Sequence, residues 1–382
     1  MAQTVVAELS TKHDVTVLCG RPSYDPTERR AWRLWRTERS RRVKIIRVGS
    51  TDYSRGQMKW RVVNYLSYVA LSVPRALLVP CDLVFAMTDP PFEGIVGAFV
   101  AMLKGKPYVY NVRDLYPDMA VGGSIIQAGP MARVWEVLHR WALHRATCVV
   151  ALGEDMRRRI IGKGLEDARV LVIRDGADVP QSVATTPEID AEVVRAIRGD
   201  FRFVLVHAGN LGFYGAWETL ITAARQLEND GIGLVFVGDG AQRAEIETMA
   251  AGRKNVRFLP FFPANKIPSV LAAGDAHIIT IRRGLEGVVV PSKMYGILTA
   301  GRPIVVIAPA ETDAASLTTR IGCGVVADPD RAENIIAKVL ELSANPALAR
   351  AMGEAARAAA NDYNRVSELH KFLRVVEEAG RA

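Results

Sequence analysis

The sequence predicts an α/β protein of two doubly wound, Rossmann-like domains that face each other across a cleft. Its 382 residues exceed what one compact core usually holds. Short, apolar, β-branched runs alternate with helical patterns in both halves, as they do in proteins with buried parallel sheets. We place the first domain at residues 1–178, a linker at 179–200, where two Pro interrupt the pattern, and the second domain at 201–382.

The first domain is expected to open without the strand that normally begins such a fold. A helical pattern over residues 1–10 leads directly into a buried strand at Val15, with no preceding strand or glycine loop. In the common strand order that first strand lies between the second and the fourth, so its absence would divide the sheet. Our hypothesis is that the sequence begins after this strand. Later strands are predicted at 45–48, 83–86, 108–112, 148–152 and 170–173, with helices at 90–103, 130–145 and 154–161.

The composition predicts a soluble protein without a metal or disulfide scaffold. Apolar residues make up 49% and charged residues 24% of the chain. Its four cysteines are scattered, without a C-x-x-C pair, which indicates a reducing cytosol. No apolar run reaches the roughly 18 residues of a spanning helix, and no signal peptide is recognised. We therefore expect a cytoplasmic protein that needs no metal or other cofactor.

The basic excess lies in the first half of the chain. Residues 1–178 hold 27 Lys and Arg against 18 Asp and Glu, whereas residues 179–382 hold 22 against 23. The segment from Arg29 to Lys44 places eight cations near Trp32 and Trp35, and a second segment runs from Arg55 to Val79. Aromatic residues beside cations favour contact with an anionic membrane surface. The alternative is a basic, solvated surface helix followed by a core helix, and we expect no nucleic-acid binding.

Two turns of the first domain follow buried strands and are expected to face the cleft. The first, M-T-D-P-P at 87–91, carries Asp89. The second, N-V-R-D-L-Y-P-D at 111–118, carries Arg113 and Asp114, whose simplest interpretation is a local ion pair. His139 and His144 are interpreted as packing or surface residues. The only D-x-D, at 328–330, is interpreted as a loop remote from these turns.

Four turns of the second domain occupy the edge where doubly wound domains bind ligands. Glycine lets backbone N–H groups approach an oxyanion in the first two, H-A-G-N-L-G-F-Y-G at 207–215 and V-G-D-G at 237–240. The third, at 258–263, is aromatic. The candidate residues in the glycine turns are Gly209, Asn210, Leu211, Gly212, Gly215, Gly238, Asp239 and Gly240.

The fourth turn, at 282–303, combines the strongest features of an anion-binding site. Arg282, Arg283 and Glu286 precede a helix expected to begin near Pro291 and to end at Gly301. A helix N-terminus with Ser292 and Lys293, next to two arginines, suits an anionic group such as a diphosphate. The alternative is an ordinary βαβ unit with solvated basic residues.

Taken together these motifs resemble glycosyltransferase family 4, which has the two-domain GT-B fold. The pieces are V-I-R-D-G-A-D at 172–178, G-N-L-G, V-G-D-G and V-P-S-K-M-Y-G-I-L-T-A-G-R-P-I, in the family's order. V-R-D-L-Y-P-D and P-S-K are similar to signatures of its bacterial surface-polysaccharide branch. The similarity extends from the first helix to Tyr363.

The resemblance implies a retaining, metal-independent transferase that takes a sugar from a nucleotide-sugar donor, commonly a UDP-sugar. The donor would lie against residues 209–215 and 286–296, including Pro291, Ser292 and Tyr295. The acceptor would be a lipid-linked sugar, often on polyprenyl diphosphate, bound by the first domain with Asp89 and Arg113. Asp114 falls near the family's catalytic-site His. The protein would lie peripherally on the cytoplasmic face of the inner membrane.

Three departures from the family pattern narrow the candidates. Gly296 occupies a position where the family usually has an acidic residue, and Asn210 and Tyr214 replace its usual Arg and Lys. The third departure is the absence of the first strand and its glycine loop. The resemblance then leaves Lys293, with Arg282 or Arg283, to neutralise the diphosphate. Asp114 would position the acceptor or take its proton. Two alternatives stay open: a UDP-sugar epimerase-type isomerase, and a non-catalytic protein that binds a membrane or a partner.

Overall fold

A computed structural model of the chain describes residues 1–20, 34–40, 42–51, 53, 58–179 and 188–381. Within them the chain forms two α/β domains with mainly parallel sheets, which confirms the predicted fold class. No helix of the described ranges has the length and apolar character needed to cross a bilayer. In the same ranges no group of three His, Cys, Asp or Glu side chains is arranged to hold a metal ion.

The sheet of the first domain is divided in two, as the sequence predicts. Strands β1, β3 and β2 form one sheet in that order, and β4, β5, β6 and β7 form another. Both β1 and β4 are therefore edge strands, and no described strand lies between the sheets. The elements are α1 Ala2–Leu9, β1 Val15–Cys19, β2 Trp35–Ser40, β3 Val43–Val48, α2 Met58–Leu77, β4 Val84–Met87, α3 Glu93–Lys104, β5 Tyr108–Asn111, α4 Asp118–Gly122, α5 Pro130–Arg145, β6 Cys148–Ala151, α6 Glu154–Gly162 and β7 Val170–Val172.

The basic segment from Arg29 to Lys44 is not a surface helix over its described part. Residues 35–40 form β2, which pairs antiparallel with β3, and Trp35 lies opposite Val48. Residues 29–33, which include Trp32, and residue 41 lie outside the described residues, as do residues 55–57 of the second basic segment. The segment alternates charged and apolar side chains poorly, so its strand was not visible in the hydrophobic pattern. It is a tertiary pairing with β3 that makes it a strand.

The second domain has one continuous parallel sheet in the order β10-β9-β8-β11-β12-β13. Strand β8 lies at its centre, and every residue of β9, β11 and β12 is buried. The elements are α7 Ala191–Arg198, β8 Phe203–Ala208, α8 Trp217–Gln226, β9 Ile232–Val237, α9 Arg243–Met249, β10 Val256–Leu259, α10 Ile267–Ala273, β11 Ala276–Thr280, α11 Lys293–Ala300, β12 Ile304–Ile307, α12 Asp313–Ile321, β13 Gly324–Ala327, α13 Ala332–Ala344, α14 Pro346–Asp362 and α15 Arg365–Ala379.

Two elements lie outside the boundaries drawn from the sequence. Helix α7, inside the predicted linker, packs Val193 and Ile197 into the core of the second domain. Helix α15, at the end of the chain, returns to the first domain and packs Phe372 against its sheet together with α1. Sequence order alone cannot show such a return, because an amphipathic helix does not specify which sheet it covers.

The two domains are joined at their helix N-termini by an exchange of caps. The Asp155 carboxylate, at the start of α6, accepts from the Asp313 N–H of α12 at 2.9 Å. The Asp313 carboxylate in turn accepts from the Glu154 N–H at 3.0 Å and pairs with Arg174 at 2.9 Å. Each carboxylate thus satisfies a backbone donor of the opposite domain, at the end where a helix favours negative charge.

Candidate active site

The cleft is closed on one side by direct backbone contact between the domains. The Leu115 N–H donates to the Val288 carbonyl at 3.0 Å, and Asp114 forms a β-bridge with Val289. The V-R-D-L turn of the first domain therefore lies against the 282–292 segment of the second. This contact brings Asp114 into the same site as the predicted diphosphate residues.

The two glycine turns of the second domain form a single stacked layer. The Gly209 N–H donates to the Val237 carbonyl and the Leu211 N–H to the Asp239 carbonyl, each at 2.9 Å. Gly238 has a φ of 144°, and a side chain there would collide with the Gly209 carbonyl oxygen. Glycine is therefore required where the loops after β8 and β9 touch. The sequence identified both turns but not that they meet.

The loop after β8 is fixed by its aromatic residues. The Tyr214 hydroxyl donates to the Asn210 carbonyl at 2.5 Å, and the Trp217 N–H donates to the Gly212 carbonyl at 2.8 Å. Burial, helped by the Asp114 carboxylate, raises the pKa of Tyr214 to about 12, so its hydroxyl stays protonated. Gly215 lies against the Trp217 ring and Gly240 against Leu211, with no room for a side chain at either. The loop therefore presents backbone groups rather than charged side chains to the cleft.

Lys293 is the first residue of α11, two residues later than the helix start expected at Pro291. Its Nζ lies 2.5 Å from Nε2 of His207, and both its Nζ and Cε would be 3.6 Å from a side-chain carbon at Gly209. Burial lowers the pKa of Lys293 to about 7, and no carboxylate opposes that shift. A buried cation without a paired anion is costly unless a ligand supplies the anion. The helix ends at Gly301, whose φ is 63°, as predicted.

The two arginines of the 282–283 pair have different surroundings. Arg283 is exposed and pairs with Asp328 at 3.1 Å and with Asp330 at 2.5 Å. The D-P-D turn is therefore not remote from the motifs, because the chain returns beside them after β13. The Arg282 guanidinium has no hydrogen bond or ion pair among the described residues. Of the pair, Arg282 is the cation available to an incoming anion.

The remaining residues predicted around the donor take different positions. Glu286 accepts from the Gly284 N–H at 2.9 Å, and its own carbonyl accepts from Arg159 at 2.9 Å. Tyr295 is 3% exposed and packs in the core next to Tyr363, 6.0 Å between ring centres. Pro291 is half-buried, and Ser292 is exposed at the start of α11, while Asp239 is exposed and accepts from the Gly240 N–H. Tyr295 is thus a packing residue in this structure.

On the acceptor side, Arg113 does not pair with Asp114 as the simplest interpretation had it. Its guanidinium makes two hydrogen bonds with the buried Asp175, at 2.5 and 2.8 Å. Asp114 therefore has no cation in direct contact with it among the residues that the structure describes. Burial raises the pKa of Asp114 to about 6. The positive charge of Arg113 acts in the opposite direction, and the negative charge of Asp89 raises the pKa further. Asp89 itself is exposed at the rim.

Sequence reasoning missed two titratable residues near the cleft. His207 entered it only as the first residue of a glycine turn, yet it is buried under Lys293. Glu93, in the first turn of α3, has a pKa raised to about 7 by burial and by Asp89. Its Oε1 has no hydrogen-bond partner among the described residues. For His207 the only sequence signal was its position at the end of a buried strand. Nothing in the sequence indicated a role for Glu93.

Comparison with known proteins assigns both halves of the chain. Residues 2–176 match the glycosyl transferase 4-like domain, and residues 194–359 match the glycosyl transferases group 1 domain. Both halves of this chain are glycosyltransferase domains. The chain is 27% identical over 248 residues to WcaI of Escherichia coli K12, named as a colanic acid biosynthesis glycosyl transferase. That match covers 63% of this chain and 61% of WcaI, so less than two thirds of the relative's length.

Solved structures of glycosyltransferases have the same two-domain fold. Anabaena HepE, in complex with UDP and glucose, has a TM-score of 0.65 at 18% identity, covering 88% of this chain and 87% of HepE. WaaG, a glycosyltransferase involved in lipopolysaccharide biosynthesis, has a TM-score of 0.67 at 16% identity, covering 98% and 94%. The GT-B fold predicted from the motifs is therefore confirmed.

Proposed function

We propose that the protein is a retaining glycosyltransferase that moves a sugar from a UDP-sugar to a polyprenyl-diphosphate-linked acceptor in cell-surface polysaccharide synthesis. The observation that carries the proposal is Lys293, a half-buried cation that has no acidic partner among the described residues and lies at the N-terminus of α11 beside the glycine layer. Such an arrangement is built to receive a diphosphate. HepE has the same fold and its structure contains UDP, and WcaI is named for colanic acid biosynthesis, which supports the choice of donor and pathway class.

In the proposed reaction, the bond between the sugar and the diphosphate breaks while the acceptor hydroxyl forms the new bond. Negative charge grows on the departing diphosphate, and Lys293, Arg282 and the dipole of α11 offset it. Asp114, across the cleft, positions the acceptor hydroxyl or takes its proton. Its raised pKa, about 6, suits a base that works near neutral pH. Side chains rather than a metal ion supply the positive charge in this proposal, so activity should persist in EDTA.

The first domain carries the features expected of a membrane-facing acceptor domain. Its adjacent helices α2, α3 and α5 expose a band of large apolar side chains, and Arg133, Arg140 and Arg145 on α5 are exposed beside it. We call this band the apolar helix face; its members are Val62, Val63, Leu66, Phe99, Met102, Leu103, Met131, Val134, Val137 and Leu138. Large exposed apolar patches mark interaction sites, and neighbouring cations favour anionic lipid.

This face changes which parts of the chain we propose to touch the membrane. The sequence pointed to the segments from Arg29 to Lys44 and from Arg55 to Val79, and α2 does belong to the face. Leu34 and Trp35 are also exposed. Helices α3 and α5 contribute most of the exposed apolar side chains of this face. The hydrophobic pattern did not reveal this, because it predicts a helix but not which of its apolar side chains stay exposed.

The test begins with donor binding and ends with product analysis. Nucleoside diphosphates and their sugars are screened by thermal shift, and the stabilising sugar nucleotide is then incubated with a polyprenyl-diphosphate-linked sugar, with and without EDTA. We expect UDP compounds to stabilise the protein and an extended lipid-linked product to form in both conditions. Conversion of the donor without an acceptor would instead show the isomerase, and no binding of any nucleotide would favour a non-catalytic protein.

A further inference from the structure

The lysine of the proposed donor site rests on a histidine rather than on an acid. His207 lies near the end of β8, is 0% exposed, and brings its Nε2 to 2.5 Å from Nζ of Lys293. An ammonium group has three donors and no acceptor, so Nε2 must be the acceptor in this hydrogen bond when Lys293 is charged. The imidazole is then neutral with its proton on Nδ1, which has no partner among the described residues.

The position of the imidazole is set by its aromatic neighbours. Its ring stands edge-on to Trp217, 5.0 Å between centres with an interplanar angle of 87°, and tilted against Phe236 at 5.9 Å. Trp217 is itself held by its hydrogen bond to Gly212. The rotation of the histidine, and with it the direction of Nε2, is therefore tied to the same loop that forms the glycine layer.

A neutral partner leaves the positive charge of Lys293 uncompensated. The titratable groups facing Lys293 are His207 on β8 and His277 on β11, and beyond His277 lie Arg302 and Asp275. Burial lowers the pKa of His277 to about 4 and that of His207 well below its usual range, so both rings are neutral near pH 7. A carboxylate in place of His207 would neutralise the lysine and weaken its attraction for a diphosphate.

We propose that His207 is a positioning residue that holds the Lys293 ammonium at the Gly209 loop without neutralising it, so that diphosphate binding takes up a proton. The inference rests on the proposed donor site. Burial lowers the pKa of Lys293 to about 7 in the free protein, and an adjacent diphosphate favours the charged form. Diphosphate affinity should therefore fall as the pH rises above 7, and binding at pH 8 should take up close to one proton.

The experiment measures UDP and inorganic pyrophosphate binding by calorimetry between pH 6 and 9, in buffers of different ionisation enthalpy. His207→Phe keeps an aromatic ring against Trp217 but removes the acceptor, whereas His207→Gln restores an acceptor near the place of Nε2. We expect about tenfold weaker binding in H207F at pH 7.5, because a hydrogen bond to a charged group is lost. We expect H207Q to stay within about twofold of the original protein, a rescue that packing alone would not produce.

The outcomes separate this inference from the proposed function. Unchanged affinity, pH dependence and proton uptake in a folded H207F would overturn the role of His207 while leaving the donor site intact. If H207F does not fold, His207→Asn, whose side chain is too short to reach Nζ, takes its place with the same expected loss. Failure of the original protein to bind either UDP or pyrophosphate would overturn the donor site and this inference together.

Discussion

The centres of the sheets in the two domains differ, and the difference matches the tasks that we propose for the two domains. In the second domain β8 fills the centre between β9 and β11, and its end supplies His207 and the glycine layer. In the first domain β1 and β4 are both edge strands, with no described strand between their sheets. The donor side that we propose is thus built on a continuous buried sheet, which fixes charged groups in place. The acceptor side that we propose lies on the divided sheet.

The surfaces of the two domains also differ, in exposed apolar side chains and in net charge. Of the large apolar side chains that are exposed in the described residues, fifteen lie in residues 1–178 and three in residues 201–382. The first domain also carries the whole excess of positive charge, as the counts over residues 1–178 and 179–382 show. A continuous sheet with a half-buried lysine suits the small, charged donor that we propose, whereas an apolar and basic surface suits the proposed acceptor held in a membrane. The following predictions test this division, from the largest expected effect to the smallest.

Replacing Lys293 should cause the largest loss of kcat among the changes considered. Lys293→Ala is expected to lower kcat by roughly two orders of magnitude, because one preorganised donor to a developing anion is typically worth about 3 kcal/mol. Steady-state kinetics with the donor found by screening measure the change. Lys338→Ala is the control, since the Lys338 side chain on α13 is 38% exposed and pairs with Glu341 at 3.4 Å. Equal kcat values for the two variants would remove Lys293 from the mechanism.

The junction between the domains should depend on the exchanged caps. Asp313→Ala removes the cap of α6 and leaves Arg174, whose side chain is 14% exposed, without its carboxylate. We expect a loss of about 3 kcal/mol in the free energy of unfolding, since breaking a buried ion pair strands the remaining charge. Urea denaturation provides the measurement. Asp328→Ala, which breaks an exposed pair with Arg283, should cost less than about 1 kcal/mol, and an equal loss in both would contradict this account.

Asp114 should show opposite effects on activity and stability. Because its pKa is about 6, kcat/KM should fall as the pH is lowered through 6 and the carboxylate is protonated. Asp114→Asn should abolish this acidic limb and reduce kcat/KM by at least about tenfold. Because its folded pKa is raised from 3.8 to about 6, the protein loses stability as the pH rises between these two values, and the loss is complete at pH 8. D114N should therefore melt no lower than the original protein at pH 8. A lower Tm together with an unchanged pH profile would assign Asp114 a structural role only.

The apolar helix face should govern membrane binding without governing donor binding. Val134→Asp combined with Leu138→Asp is expected to weaken sedimentation with phosphatidylglycerol-containing vesicles by about tenfold, since apolar burial and lipid charge both oppose the new carboxylates. Val366→Asp is the matched control, because Val366 is exposed on α15, which covers the opposite side of the sheet. Equal binding of all variants, or equal binding to neutral and anionic vesicles, would count against the membrane assignment.

The sequence by itself determined the α/β class, the two domains and the divided first sheet. Strand and helix periodicity, the glycine turns and the helix end at Gly301 depend on residues that are close in sequence, so they can be predicted without the tertiary structure. The same signals also selected Lys293, Arg282 and Asp114. They could not distinguish Arg282 from Arg283, because the two are adjacent in sequence and differ only in the aspartates that the fold brings to Arg283.

Only the tertiary structure decided which groups face each other across long sequence distances. His207 is 86 residues from Lys293, and Asp155 is 158 residues from Asp313, so no spacing pattern links either pair. The return of α15 to the first domain and the packing of α3 against both α2 and α5 are likewise results of the tertiary fold. Burial is also a tertiary property, and it is burial that brings the pKa of Lys293 to about 7 and that of Asp114 to about 6.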